Sequence, residues 1–564
     1  MKLNTKWGYG QLFGYSAVEG PNRYYEDCIL MTMSKKLLFR FEFRPHYALL
    51  YFPLKNASIK ALMSDFVIAT SKEGDLKLTF LDNDTLVGTS PVLPVLSGER
   101  NHYVYSKDRN VEMMRVDSHY FGMLYTKLDN GLYRFVIHHS FASSEARSAC
   151  NRYLPLFDID ALIAKRIAYF KQMPKCNNKQ YESLYYKSLS VQKVNIHSPE
   201  GKITRMWTTP DRVPHRHMWM WDSAFHSLAM SQYNPSLAEE ILLAMLSQTR
   251  DDGFMPHMAN PTDSSDVTQP CVMSYATYKV YEKTHNKEFL KEAIPYLEKY
   301  LNFDMNNRDK NHNGLLEWYT EPEYQECKCG ESGLDNSPRF DFDEEMDCLD
   351  FSTYFALDTE YLSKIYKEVG EDELSSKWEN ISNVTKGKIK DYLWDKEDEM
   401  YYDRLFSGRL TKVLTHSSFL PMFAGFATKE QVEKMVKTLR DKTLLWSTFP
   451  VASISQQDPR FSNDMWRGGV WLNLNYFIIV GLKKYGYEED AKELEKLTLD
   501  AVNKWYKKTG CIFEFYDPKD EISPFYCHRK GNPLKKPDYR KHVHSISDYN
   551  WSACFIMLTI QGIY

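Results

Sequence analysis

Four stretches of this 564-residue chain crowd aromatic and polar side chains together where a structural loop would use glycine, serine and lysine. In TTPDRVPHRHMWMWDSAFHSLAM (208–230), Trp219, Trp221, Asp222 and His226 open a helix, with a carboxylate in the first turn where backbone N–H groups stabilise it. A plain helix N-cap at Asp222 fits the same pattern. EWYTEPEYQECKCGESGLDNSPRFDFD (317–343) carries Asp335, with Asn336, Arg339 and Asp341 close by. Carboxylates crowded beside an aromatic pit raise one another's proton affinity, so that one stays protonated and can donate; an acidic loop in water is the alternative. In SNDMWRGGVWLNLNYF (462–477), Gly468 and Gly469 permit close backbone approach, while Trp466, Arg467 and Trp471 offer flat faces and a hydrogen-bonding fork. TGCIFEFYDPKD (509–520) sets Glu514 between Phe513 and Phe515, as a site residue or as a strand residue pointing to water.

Two carboxylates from distant loops meeting across a pocket are what glycoside hydrolysis requires, one protonating the leaving oxygen and one activating water. The aromatic content of 15%, with 12 Trp and 39 Tyr, suits sugar rings, whose C–H faces stack on such side chains; an aromatic-rich core would use it equally well. A net charge of -4 over this length argues against a nucleic-acid partner, which needs a concentrated basic face.

The elements that must position these loops change period along the chain. From 1 to about 170 the runs are short and β-branched or aromatic, as in LLFRFEFRPHYALLYF (37–52) and GLYRFVIHHSF (131–141), with turn signals such as SKEGD and KLDNG between them. That predicts an antiparallel β-sandwich-like domain over 1–170. From 180 to 564 the period is 3.6, with about a dozen helical stretches separated by long loops. Without a fixed repeat, this mainly α region reads as an (α/α)6 toroid rather than a solenoid.

Taken together, PHRHMWMWDSAFH, ESGLDNSPRFD, WRGGVWLNLNY, FEFYDP and the closing SDYNWSACFIMLTI resemble glycoside hydrolase family 63, whose members include processing and bacterial α-glucosidases and the mannosylglycerate and glucosylglycerate hydrolases. The resemblance covers about residues 200–564. It implies an (α/α)6 barrel after a β-rich domain and an inverting, exo-acting α-glycosidase, an α-glucosidase before an α-mannosidase or glycosylglycerate hydrolase. Asp335 would be the general acid and Glu514 the general base. Asp222 would grip the innermost sugar, Gln269 (in DVTQPCVMSY) would be a subsite glutamine, and Arg467 and Trp471 would lie on the binding loop, beside Trp466, Trp219, Trp221 and Arg339. No metal or organic cofactor is implied.

Trehalose hydrolysis is the rival on the same toroid. A phosphorylase would need a phosphate site, for which only Arg460, Arg467 and Arg540 offer charge, and a non-catalytic glycan-binding protein would have no use for both Asp335 and Glu514. Ten scattered cysteines read as reduced thiols, and the Cys327/Cys329 pair as an incidental loop feature. With no apolar leader and no run near the roughly 20 residues that cross a bilayer, the expectation is a cytoplasmic enzyme acting on small carbohydrates, with no membrane partner.

Overall fold

Period-two burial appears where the sequence places it: in Leu38–Phe41, Phe39 and Phe41 are buried while Leu38 and Arg40 are half-buried. The computed structural model describes residues 1–24, 28–43, 45–99, 102–321, 323–324, 326–531 and 543–564. Strands Leu12–Gly14, Leu30–Met33, Leu38–Phe41, Ala48–Tyr51 and Val95–Gly98 form one antiparallel sheet in that order. A second antiparallel sheet runs Tyr103–Asp108, Val111–Val116, His119–Lys127, Tyr133–Ser140, Thr85–Ser90, Gly74–Asp82, Phe66–Ser71, Ser58–Leu62. Side chains of both, among them Phe13, Phe39, Phe52, Leu78, Phe121 and Phe135, share one apolar core, the arrangement of a sandwich.

The chain divides into two compact units: Met1–Glu200 with Asp211–Arg216 and Asn503–Ile512, and Gly201–Pro210 with His217–Val502 and Phe513–Tyr564. The first extends past the change of period at which the sequence places a boundary. Helices α1 (Ser143–Tyr153), α2 (Ile159–Gln172) and α3 (Glu182–Val194) pack on its strands and so belong with it. Asp158 caps α2 by accepting from the amides of Asp160 and Ala161.

The second unit is helical: α4 (Met220–Met230), α5 (Pro235–Leu246), α6 (Met273–Thr284), α7 (Lys287–Asn307), α8 (Leu349–Val369), α9 (Asp372–Tyr392), α10 (Leu420–Ala424), α11 (Lys429–Leu439), α12 (Leu472–Lys484), the greater part of α13 (Glu488–Thr509) and α14 (Asn550–Gln561). Every residue of α4, and all of α14 but its last, is buried, as befits helices enclosed on every side. Contacts link alternate members: α4 packs on α6, α6 on α8, α8 on α10, α10 on α12, α12 on α14, and α14 back on α4. Pairs such as α4 with α5 and α8 with α9 add neighbours to that closed cycle. The long connections after α5, α7, α11 and α13 carry most of the residues singled out above. No described helix is long and apolar enough to cross a membrane.

Candidate active site

Asp335 sits on the loop between α7 and α8, and the backbone around it is tightly fixed. Ser332 Oγ accepts from the Leu334 amide at 3.0 Å, and the Ser337 amide donates to the Leu334 carbonyl at 2.8 Å. The short 3-10 turn Pro338–Phe340 follows, opened by Ser337. Gly333 adopts φ +67°, and a β-carbon there would lie 2.6 Å from the Trp221 ring, so this glycine lets the acidic loop lie directly against that indole.

Arg339 differs from its expected substrate-binding role. Its side chain is 1% exposed and wholly engaged: Nε and Nη2 donate to Asp403 at 2.7 and 2.6 Å, Nη1 and Nη2 to Asp350 at 2.5 and 2.8 Å, and Nη1 also to Ser417 at 3.1 Å. With its fork filled by two buried carboxylates, it anchors the loop and has no edge left for a sugar. Cys348 lies near the same Asp350 and Asp403 at ligand-like spacing, but the guanidinium occupies both acids.

Glu514 lies on a bridged segment: Phe513 pairs with Ser547, Tyr516 with Val470, and the Glu514 amide donates to the Ile546 carbonyl at 2.9 Å. The residue is 2% exposed, so it does not point to water. Arg529 donates to its two oxygens from Nε and Nη2 at 3.2 and 3.3 Å.

An aromatic chain connects the two loops. Phe515 stacks on Trp471 at 4.9 Å and Trp471 on Trp466 at 3.6 Å, while Trp551 of α14 meets Trp471 and Trp221 edge-on at 5.8 and 5.3 Å. The Trp466 amide donates to Asn336 Oδ1 at 3.1 Å, tying this chain to the residue after Asp335. Trp471 uses its indole N–H on the Met465 carbonyl, whereas the buried indole nitrogens of Trp466 and Trp551 have no hydrogen-bond partner among the described residues.

Gln269 accepts from the Trp221 amide at 3.2 Å and so holds the start of α4. The cap of that helix is Trp219, which meets His257 edge-on at 4.8 Å; Asp222 is its third residue and 1% exposed, which rules out the N-cap reading. His226 is buried against Thr208 Oγ1 at 2.9 Å, a packing role. Arg467 pairs with Asp341 at 2.8 Å, and Arg460 pairs with Asp458 at 2.7 Å and approaches Asp341. Both candidate phosphate ligands are thus neutralised, and Arg540 lies outside the described residues.

Two cations escape a reading of the sequence. Lys530 Nζ lies 2.8 Å from Asp335 Oδ2, and its chain neighbour Arg529 holds Glu514. The charge of Arg529, bonded to Glu514, also acts on Asp335, so neighbouring residues of one segment hold the two carboxylates. Burial pushes the Asp335 carboxyl up, but Lys530, then Arg529, outweigh it and hold it below the usual carboxylate range. That corrects the expectation that crowded acids would raise it, because the nearby Asp341 is itself occupied by Arg467 and Lys328. The signal lies in the consecutive Arg-Lys at 529–530, which sequence alone does not distinguish from a surface pair. Cys327, expected to be incidental, also bonds to Asp335, and burial pushes its thiol up to about 12.

A family profile for the mannosylglycerate hydrolase MGH1-like glycoside hydrolase domain matches residues 215–552. An uncharacterized protein of Borreliella burgdorferi is 25% identical over 271 residues, 47% of this chain and 54% of that protein, so the chain spans about half of that relative. Mannosylglycerate hydrolase MGH1 of Selaginella moellendorffii is 24% identical over 392 residues, 55% of this chain and 78% of the relative. Among solved structures, the GH63 mannosylglycerate hydrolase of Thermus thermophilus in complex with glucose aligns with a TM-score of 0.53 at 21% identity, covering 67% of this chain and 100% of that one. That likeness shows a shared fold.

Proposed function

The chain belongs to the mannosylglycerate hydrolase MGH1-like glycoside hydrolase family, and from that premise we propose that it is an inverting, exo-acting α-glycosidase on an (α/α)6 toroid. The closed cycle of six alternating helices supports the toroid. The observation that carries the chemistry is that two consecutive cations hold the two carboxylates, Arg529 on Glu514 and Lys530 on Asp335, with the tryptophan chain between their loops.

In this reading Asp335, half-buried at the open side, donates a proton to the glycosidic oxygen as its bond to the anomeric carbon breaks. Glu514, buried and gripped by Arg529, takes a proton from the water that attacks the opposite face. Trp221, Trp466 and Trp551 supply flat faces and N–H groups for a sugar ring, and Asp222 grips its hydroxyls. An α-glucoside of short chain or small aglycone is the substrate class in first place. An α-mannoside of the glycerate type stands beside it, because the Selaginella relative is named a mannosylglycerate hydrolase while the Thermus structure holds glucose.

The test is a panel of α-glucosides and α-mannosides, trehalose included, assayed with wild type, Asp335→Asn and Glu514→Gln. One substrate turned over by wild type and lost in both variants is the expected result. Binding without turnover by wild type across the panel would favour a glycan-binding protein instead.

A further inference from the structure

Lys530 is placed with more care than a surface lysine. Its own backbone holds φ +60°, a left-handed conformation that side-chain-bearing residues avoid unless their surroundings impose it. Those surroundings are visible on both sides: the Gly531 amide donates to Asp464 Oδ2 at 2.6 Å, the Arg529 amide to the Val543 carbonyl at 3.2 Å, and the Met465 amide to the His528 carbonyl at 3.2 Å. A pinned backbone thus delivers two consecutive cations to two carboxylates, Arg529 to Glu514 and Lys530 to Asp335.

The two pairs are unequal. Arg529 and Glu514 are almost wholly buried, whereas the side chains of Lys530 and Asp335 are 29% and 19% exposed. The buried pair suits a general base, which must stay ionised. The exposed pair conflicts with a general acid, which must hold a proton, since an ammonium at 2.8 Å stabilises the form that has none to give.

Resting on the reading of Asp335 as the acid, we propose that Lys530 is a positioning residue that makes turnover depend on the charge of the leaving group. An anionic group in the aglycone, a carboxylate or a phosphate, draws the ammonium off Asp335. The freed carboxylate takes a proton from solvent and delivers it to the glycosidic oxygen as the anomeric C–O bond breaks with its electron pair on oxygen. Water adds to the anomeric carbon and loses its proton to Glu514, and both carboxyl groups return by exchange with solvent. Lys530 keeps its charge throughout and changes partner only.

Among the described residues, the other groups that act on Asp335 do not supply such a switch. Arg529 is fixed on Glu514, burial pushes His257 down to about 4 so that it stays neutral, and the Cys327 thiol is pushed up to about 12.

The experiment compares kcat/KM against pH for wild type, Lys530→Gln and Lys530→Arg on three α-glycosides of the sugar the enzyme prefers, differing only in aglycone: glycerol, glycerate and glycerol 3-phosphate. Wild type should favour one or both anionic aglycones, and which one identifies carboxylate or phosphate as the ligand. In Lys530→Gln the alkaline limb on the glycerol glycoside should move up by about one pH unit, raising its rate near neutrality about tenfold, because the protonated fraction grows tenfold per unit of pKa. The anionic preference should disappear in that variant and return in Lys530→Arg. An unmoved limb in Lys530→Gln, an anionic preference that survives it, or no turnover of any of the three by wild type overturns the proposal. Asp335→Asn run beside them separates the two levels: if it turns over the best substrate normally, the assignment of the acid has failed.

Discussion

Each compact unit sets cations against two carboxylates, three in the β-rich unit and two in the helical one, and the clusters differ in how deeply both carboxylates are buried. In the β-rich unit, Lys193 lies 2.7 Å from Glu19 and 2.5 Å from Asp65, Arg166 contacts Glu19 and approaches Asp65 at 3.5 Å, and these four side chains are at most 3% exposed, while the exposed Lys165 reaches Glu19 at 3.3 Å from the solvent side. In the helical unit, Arg529 and Lys530 face Glu514 and Asp335, and one of the two pairs reaches solvent. Two carboxylates that are both at most 3% exposed and held by several cations serve to fix a fold. A carboxylate at a more open edge, 19% exposed as Asp335 is, can exchange a proton and change partners, and that edge carries the proposed acid. The glycoside hydrolase has built similar ionic sets for opposite ends.

The comparison is broken most directly by removing the charges. Asp335→Asn and Glu514→Gln should each lower kcat/KM by about 10²- to 10⁴-fold, the range of a lost general acid or base, with little change in melting temperature for the half-buried Asp335 but a drop for Glu514→Gln, which leaves the buried Arg529 charge without its carboxylate. Activated glycosyl fluorides should rescue Asp335→Asn, whose missing proton they do not need. Steady-state rates together with calorimetry check both halves.

Lys193→Met in the buried cluster should do the reverse, destabilising the fold by about 3 to 5 kcal/mol through stranded buried carboxylates, while refolded protein keeps its kcat. Denaturant titration measures it. The same cluster predicts a pH effect of defined sign. Burial pushes Glu19 up, but Lys193 and Arg166 outweigh it and hold it below its ordinary value. Its contribution is therefore complete above the unfolded-state pKa and is lost as pH falls through the lower folded value, so thermal stability should decline on the acid side and Glu19→Gln should flatten the decline.

A smaller effect sharpens the account of how the loops meet. Gly333→Ala puts a β-carbon against Trp221 in a left-handed backbone, and should destabilise by about 1 to 3 kcal/mol. It should weaken sugar binding more than it changes the alkaline limb of the pH profile, since it displaces the indole rather than Lys530.

Much of this is legible in the sequence, for reasons that also mark where legibility stops. The change of period from two to 3.6 and the aromatic–carboxylate loops are local patterns, and the loops make Asp335, Trp221, Trp471 and Glu514 candidates by the company they keep in the chain. Arg339 misleads because its neighbours in sequence, Asn336 and Asp341, suggest a binding loop, whereas its partners Asp350, Asp403 and Ser417 lie 11 to 78 residues away. Lys530 escapes notice for the same reason, since the acid it meets lies in another loop. The β-rich unit reads too short because α1–α3 carry a helical period yet pack on strands.

The central claim is that Asp335 and Glu514 act as acid and base from opposite sides of the sugar, and its most direct test is stereochemical. Inverting enzymes hold their carboxyl groups about 6.5 to 9.5 Å apart to admit a water, against about 5 to 5.5 Å in retaining enzymes. Proton NMR of the anomeric signals in the first minutes of hydrolysis of an α-glycoside should show the β sugar first, with the α form growing in later by mutarotation. An α product from the outset would contradict both the inverting mechanism and the role of Glu514.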